Sequence, residues 1–489
     1  MTGRTISRDV IKTKPRVFVT SDIGNEPDDS ESLVRYLLYS NEFRTEGLVA
    51  CTSTHQRTST RPDLMHVTLR AYAQVVKTLN AHTPPEYPYP DAKSLFNLVK
   101  TGPPVYGREA LKQDTPLAEG TKLLINALDA SDEPLWVLCW GGSNVIAQAL
   151  QHVKQSRSKD KVDELTSKLR IYMISDQDDT GPWIRLHFPH IFLICSVHGW
   201  GQYRTSTWWG ITCPENGVDK SLFSLDWLKE NIQLGPLGRT YPDPAWQIEG
   251  DTPSFLYLIP NGLGSPENPS WGSWGGRYDP VDPTFQVNHY ADTVDTIYRK
   301  GQKHCSNFAT VWRWAEAFQN DFAARMQWSL HSDFAQANHA PVVIVNGHRD
   351  ISASLYLEVE AGQLVSLDAS ESYDPDGDNL RYNWFHYKEP TMAEGVWDVL
   401  IPVMDIVNVD SVINGRRVEI MMPPAEKSAV DFKTGKPQKK GHTYHFILEV
   451  TDDGTPALTV YKRVVIQILN KELRGAQPPW PLRADWEPK

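Results

Sequence analysis

Cysteine is scarce in this chain, five in 489 residues, and no two are spaced as Cys-x-x-Cys. Cys51, Cys139, Cys195, Cys213 and Cys305 therefore argue against a zinc site or a disulfide framework. The first three stand in or beside apolar strand-like runs, where a buried free thiol is the default reading. Asn-x-Ser/Thr acceptors are absent, because Asn268-Pro269-Ser270 is blocked by its proline. No apolar run approaches the span of a bilayer, and Met1 to Arg8 lack the hydrophobic core of a signal peptide. These absences favour a cytoplasmic location, with secretion left open for a chain whose signal had been removed. Lys and Arg number 49 against 60 Asp and Glu, a net charge of −11, and no basic cluster interleaves with aromatics. Neither a nucleic acid nor a membrane is an expected partner, and the oligomeric state is not legible.

What is present divides near Ala340. Before it, strand and helix patterns alternate: Val17 to Ser21, a helix from Ser30 to Tyr39, Gly47 to Ser53, and a helix from Arg61 to Asn80. This predicts an α/β domain over 1–335, a mostly parallel sheet with flanking helices, closed by a tryptophan-bearing helix over Val311 to Ser329. The polar stretch His331 to His339 reads as a linker. Over 340–489 short β-rich runs separated by turn clusters predict an all-β sandwich of immunoglobulin-like pattern. Asp374, Asp376 and Asp378 fall in one of its turns, and Gly377 comes too early for an EF-hand loop, so they read as turn residues. The tail Pro478-Pro479-Trp480-Pro481-Leu482 is too proline-rich for a helix and reads as an extended strap.

The densest chemistry lies in Val17-Phe18-Val19-Thr20-Ser21-Asp22-Ile23-Gly24-Asn25-Glu26-Pro27-Asp28-Asp29-Ser30. A buried strand runs into an acidic turn and then a helix. Asp28 and Asp29 alone could serve the positive end of a helix, but Asp22, before the turn, has no such role. Carboxylates held this close repel, and a hard cation with oxygen ligands relieves that repulsion. Two later strand ends carry further polar residues. Leu135 to Cys139 is followed by Trp140-Gly141-Gly142-Ser143-Asn144, and Leu169 to Ile174 by Ser175-Asp176-Gln177-Asp178-Asp179.

Asp22-Ile23-Gly24 followed by Asp28-Asp29 resembles the N-terminal aspartate signature of the nucleoside hydrolases, with a longer loop. Together with Gly141-Gly142-Ser143-Asn144 and Glu249-Gly250-Asp251-Thr252-Pro253, it is similar to the nucleoside-hydrolase-like domain of a family named for a cellulose-binding bacterial protein. Leu367 to Trp384 and Val450 to Gly454 resemble polycystic-kidney-disease-type immunoglobulin-like modules, the companion domain of that family.

The resemblance implies a Ca²⁺ cofactor held by Asp22, Asp29, Asp251 and the Ser143 carbonyl. It makes Asp22 the base for an attacking water and Asp28 an acceptor for a sugar hydroxyl, with Asn144, Asp178 and Asp179 also on the substrate. Two departures stand out: Thr20 occupies the place of the family's first aspartate, and Gly250 that of its leaving-group histidine. Glu249 is then the nearest candidate proton donor, with Asp178 or Asp179 as further ones.

Seventeen tryptophans suit a ligand with flat C–H faces. Trp271 and Trp274, flanked by glycine, serine and proline, are expected to face it, with Arg277 beside them as a planar fork. The function read from the chain is a calcium-dependent hydrolase of glycosidic or N-glycosidic bonds, its partner a carbohydrate or nucleoside-like small molecule. The alternative is a carbohydrate-binding protein that keeps the hydrolase fold and metal site without turnover.

Overall fold

The computed structural model describes residues 14–212 and 219–477. The expectations for Met1 to Arg8, for Cys213 and for the Pro478 to Leu482 strap lie outside them. The described chain forms two compact units, 14–259 with 266–338, and 260–265 with 339–477.

In the first unit, β1 (Arg16–Ser21), β2 (Arg44–Ala50), β3 (Val99–Thr101), β4 (Leu135–Cys139), β5 (Leu169–Met173), β6 (Phe192–Ile194), β7 (Tyr278–Pro280) and β8 (His289–Asp292) make one sheet. Their order is β3-β2-β1-β4-β5-β6-β8-β7, and every pairing is parallel except β7 with β8. β1 is buried along its whole length, which is why Val17, Phe18 and Val19 read as a continuous apolar run and not as an alternation. The strand order departs in opposite directions from β1 and β4, so a crevice opens where their carboxyl ends lie side by side.

The helix after β1, α1 (Asp28–Leu38), begins two residues earlier than the apolar spacing suggests and carries Asp28, Asp29 and Glu31 in its first turn. Negative charge there is favoured by the helix dipole. α2 (Pro62–Leu79) follows the expected span, with proline in its first turn. The tryptophan-bearing segment is two helices, Ala309–Trp312 and Ala315–Trp328, parted at Arg313 and Trp314.

One local misfit in the sheet is instructive. β1 and β2 change register between Val17 and Phe18, skipping Glu46, so that Phe18 faces Gly47. A Cβ at position 47 would overlap the Phe18 ring. Glu46, freed from the ladder, pairs with the buried Arg16 over 2.8 Å.

The second unit is all β. One sheet orders Leu355–Glu360, Thr459–Leu469, Lys440–Thr451 and Arg381–Tyr387; the other orders Leu364–Asp368, Arg417–Met421 and Ile406–Asn408. Val342 to Val345, the first of the β-rich runs after Pro341, makes only isolated bridges, Val342 with Tyr373 and Val345 with His348. Asp374 serves its turn, accepting the N–H groups of Asp376, Gly377 and Asp378. Residues 260–265 belong to this unit although the sequence assigns them to the α/β domain. The carbonyls of Asn261 and Gly262 accept from the N–H groups of Tyr461 and Arg463, and Leu263 O accepts from the Arg463 guanidinium.

Gly47→Ala is expected to lower stability by about 1–3 kcal/mol through overpacking. Gly201→Ala, where a Cβ meets nothing within 4 Å, is the control and should be neutral or slightly stabilising. Thermal melts of the two variants separate the outcomes, and equal midpoints would contradict the packing argument.

Candidate functional site

The crevice between the ends of β1 and β4 is acidic. Ser21, the last residue of β1, donates its hydroxyl to Asp29 Oδ1 over 2.5 Å, and its own oxygen accepts the Ile23 N–H. Gly24 turns the chain at φ 106°, a conformation that glycine adopts without strain. α1 then starts so that Asp28 Oδ1 accepts the Asp29 N–H. Asp251 comes from the far part of the unit, where Pro253 opens the short helix Pro253–Leu256 and the Asp251 carbonyl accepts from Ser254.

Carboxylate oxygens of Asp28, Asp29 and Asp251 lie within 4.8 Å of one another. Asp22 lines the same cavity, and a Cβ on Gly141 would come within 2.7 Å of its Oδ1. Glycine after β4 is therefore what lets the two strand ends close up.

All four acids are buried. Burial pushes Asp22 up to about 7, with a hydrogen bond from Ser53 opposing and Asp28 adding repulsion. Asp29 and Asp251 are raised by burial first and then by the other aspartates. Asp28 is raised by burial and relieved by Gln247, whose amide donates to its Oδ2 over 2.7 Å. Asp251 Oδ2 is buried without a hydrogen-bond partner. Crowded oxygen donors, an orphaned carboxylate oxygen and mutual repulsion fit a hard divalent cation. The free space beside them is about 10 Å³, room for one water or one ion.

Other candidates from the sequence lie elsewhere. The Ser143 carbonyl takes the first helical hydrogen bond, from Ala147, and its hydroxyl bonds Asp178 and Thr180. Asp178 is spent on the Asn144 and Thr180 N–H groups, and Asp179 on the Arg108 N–H. The Asn144 amide donates to Thr52 and Val105. These four residues fix loops and helix starts and do not line the cavity.

Glu249 is 1% exposed, paired with Arg35 over 2.8 Å, and accepts from Tyr241 and Thr252. It holds the loop that carries Asp251 and does not face the cavity as a donor. Trp274 is 2% exposed, and Arg277 is buried among Asp295, Asp279 and the Val294 carbonyl, so neither faces a ligand. Their glycine and serine neighbours allow tight packing, which sequence context alone does not distinguish from exposure. Trp271 is half-buried in the turn Pro269–Trp271, away from the cavity lining.

Several lining residues carry no sequence signal as strong. His55 follows the carboxyl end of β2, where the strand-end rule could have found it. Gln177 and Gln247 come from loops, and Tyr203 and Trp208 from the short 3-10 helices Tyr203–Thr205 and Thr207–Thr212. Trp208 stacks edge-on against Tyr203, and Tyr203 against His55, so the lining has an aromatic wall. At Gly250 a Cβ would lie 2.8 Å from Asp28 Oδ2 and 2.9 Å from the Gln247 amide nitrogen. A side chain there would have to displace the Gln247 amide that sits against Asp28.

Residues 16–278 match the family profile described as cellulose-binding Sde182, nucleoside hydrolase-like domain. The chain belongs to this family. Residues 364–468 match the C-terminal domain of cellulose-binding protein Sde0182. A solved nucleoside hydrolase-related protein from Saccharophagus degradans, described as associated with carbohydrate metabolism, is 32% identical over 93% of this chain and 100% of its own, with a TM-score of 0.74. The inosine-uridine preferring nucleoside hydrolase from Bacillus anthracis is 13% identical over 62% of this chain and 99% of its own, with a TM-score of 0.32. No curated protein matches the chain. Among the described residues no helix is long and apolar enough to cross a membrane.

The raised carboxyls make a pH prediction. Asp22 titrates near 7 when folded instead of its ordinary 3.8, so between those values the folded chain binds more protons than the unfolded one. Stability of the metal-free protein then falls as pH rises across that window, by on the order of 4 kcal/mol from Asp22 alone. Calorimetry in EDTA should give a lower midpoint at pH 8 than at pH 5, and calcium should raise it more at pH 8. A flat profile that Asp22→Asn leaves unchanged would contradict this.

Proposed function

We propose that this member of the cellulose-binding family is a calcium-dependent hydrolase of sugar-containing substrates. The observation that carries the reading is the convergence of Asp22, Asp28, Asp29 and Asp251 at the end of β1. Asp29 and Asp251, with Asp22 or Asp28 beside them, are the oxygen donors that would hold Ca²⁺. A bound ion would supply positive charge that orients sugar hydroxyls and eases deprotonation of a water.

The chain's own residues do the rest. Asp22, buried at the end of β1 and lining the cavity, would accept the proton of the attacking water. Asp28 presents the oxygen that now accepts from Gln247, and a sugar hydroxyl replacing that amide would keep the bond. The wall of Tyr203 and Trp208 keeps bulk water from the reacting face. Since Glu249 is turned inward, the groups facing the cavity that could hand a proton to a departing oxygen or nitrogen are Glu26 and His55. Glu26 is raised by burial and by Asp28. An oxocarbenium-like transition state would gain from the remaining carboxylates.

A second reading, sugar binding without turnover, is favoured by one feature: Gly250, where the family resemblance places a leaving-group acid. General-acid help is typically worth about 10²- to 10⁴-fold. Nitrophenyl glycosides, whose leaving groups need little protonation, should therefore be cleaved at least about 10²-fold faster than inosine or uridine. Asp22→Asn should abolish that cleavage, and Asp29→Ala should strip calcium as read by elemental analysis. Equal rates on both substrate types would overturn the second reading and assign proton donation to Glu26 or His55. Metal-dependent sugar binding with no turnover of any glycoside would establish the second reading.

A further inference from the structure

Residues 244–248 span the gap between two fixed points and are held across it by one side chain. On one side Gln233 donates its amide to the Tyr241 carbonyl and to Asp243 Oδ1. On the other, Glu249 is paired with Arg35, and its N–H is accepted by Glu31. Among the described residues, the one hydrogen bond that ties 244–248 to the rest of the unit runs from the Gln247 amide to Asp28 Oδ2, over 2.7 Å. Packing does not hold the outer half of the segment, because Ala245 is exposed and the Trp246 indole is 87% exposed.

The conformation held by that bond is not one the backbone favours. The Gln247 N–H returns to the Ala245 carbonyl over 2.8 Å, so 245–247 form a γ-turn centred on Trp246 at φ 70°. This positive-φ form of the γ-turn is rare and strained, and a bulky residue adopts it less readily than glycine. Glu249, where the segment rejoins the buried layer, also stands at positive φ, 49°. Strain of this kind persists only where contacts impose it. Here the imposing contact is the bond to Asp28, so breaking that bond lets the turn relax.

The same bond fills the space that a substrate needs. Free volume at the carboxylates is about 10 Å³, room for one water or one ion and too little for a sugar ring. Gly250 lies directly behind the amide, where a Cβ would come 2.9 Å from the Gln247 amide nitrogen. With glycine there, the space that the amide leaves stays clear of side chains.

We propose that Gln247 is a latch: without substrate its amide occupies the place of a substrate hydroxyl on Asp28, and an incoming hydroxyl displaces it and frees 244–248 to swing off the cavity. Hydroxyl replaces amide donor for donor, so Asp28 stays hydrogen-bonded throughout. The inference rests on the reading above that Asp28 accepts a sugar hydroxyl, and it adds how that site opens.

The test joins hydrogen exchange of the full chain, read over 245–248 where the turn holds the Gln247 N–H, with kinetics on nitrophenyl glycosides. Gln247→Ala should speed exchange over 245–248 by at least about threefold while β1 and β4 keep their wild-type rates. The same variant should lower KM by about three- to tenfold, since no amide then competes with the substrate. Unchanged exchange over 245–248 would overturn the latch. A raised KM would also overturn it, making Gln247 a contact of the bound substrate. Faster exchange in a chain that cleaves no glycoside would support the latch and overturn the hydrolase reading.

Discussion

Four aspartates that repel one another are buried together at the end of one strand, and the surrounding structure is arranged to hold them there. Like charges in a low-dielectric site raise each other's pKa, and burial raises it further. The chain opposes this with local hydrogen bonds: Ser21 on Asp29, Gln247 on Asp28, Ser53 on Asp22. Such bonds are worth about 0.5–3 kcal/mol each, too little to offset four ionised carboxylates at close quarters. Either some of these groups carry protons or a cation accompanies them. The two conditions are alternatives that pH and metal concentration exchange.

Behind the acids lies a second buried layer that sets their register. Arg35 of α1 pairs with Glu249 and packs its guanidinium over the Phe322 ring at 3.9 Å. Glu31, one turn earlier, accepts the Glu249 N–H and is pushed up by burial to about 9, so it is neutral near pH 7. The layer thus has one net ion pair, Arg35 with Glu249, and one protonated acid. It ties the loop 249–252 to the helix that carries Asp28 and Asp29. Removing one partner of such a buried pair typically costs about 3–5 kcal/mol, because the other charge is stranded. Asp251 reaches the other aspartates through this clamp, although it lies over two hundred residues away in the sequence.

The aspartates were legible because their placement follows from strand ends, and strand ends follow from hydrophobic patterning. The parallel sheet, α1 and α2 were read for the same reason. What failed was the assignment of polar residues whose partners are distant. Asp178 and Asn144 stand at strand–helix junctions as the aspartates do, yet Asp178 accepts the Asn144 N–H, and the Asn144 amide goes to Thr52 and Val105. No local pattern announces that. Trp274 and Trp246 make the same point from opposite sides: glycine-rich context surrounds the buried ring, and the exposed one stands between Ala245 and Gln247. Residues 260–265 leave the first unit's set because their carbonyls pair with Tyr461 and Arg463, a tertiary pairing invisible in sequence.

The central claim is that a cation and protons compete for these carboxylates, and proton release measures it directly. Calcium should be titrated into the metal-free protein near pH 6 in buffers of different ionisation enthalpy, and the heats compared. The account predicts binding near one ion per chain with release of about one proton or more, lost in Asp29→Ala. Calcium binding without proton release, or no binding at all, would contradict it.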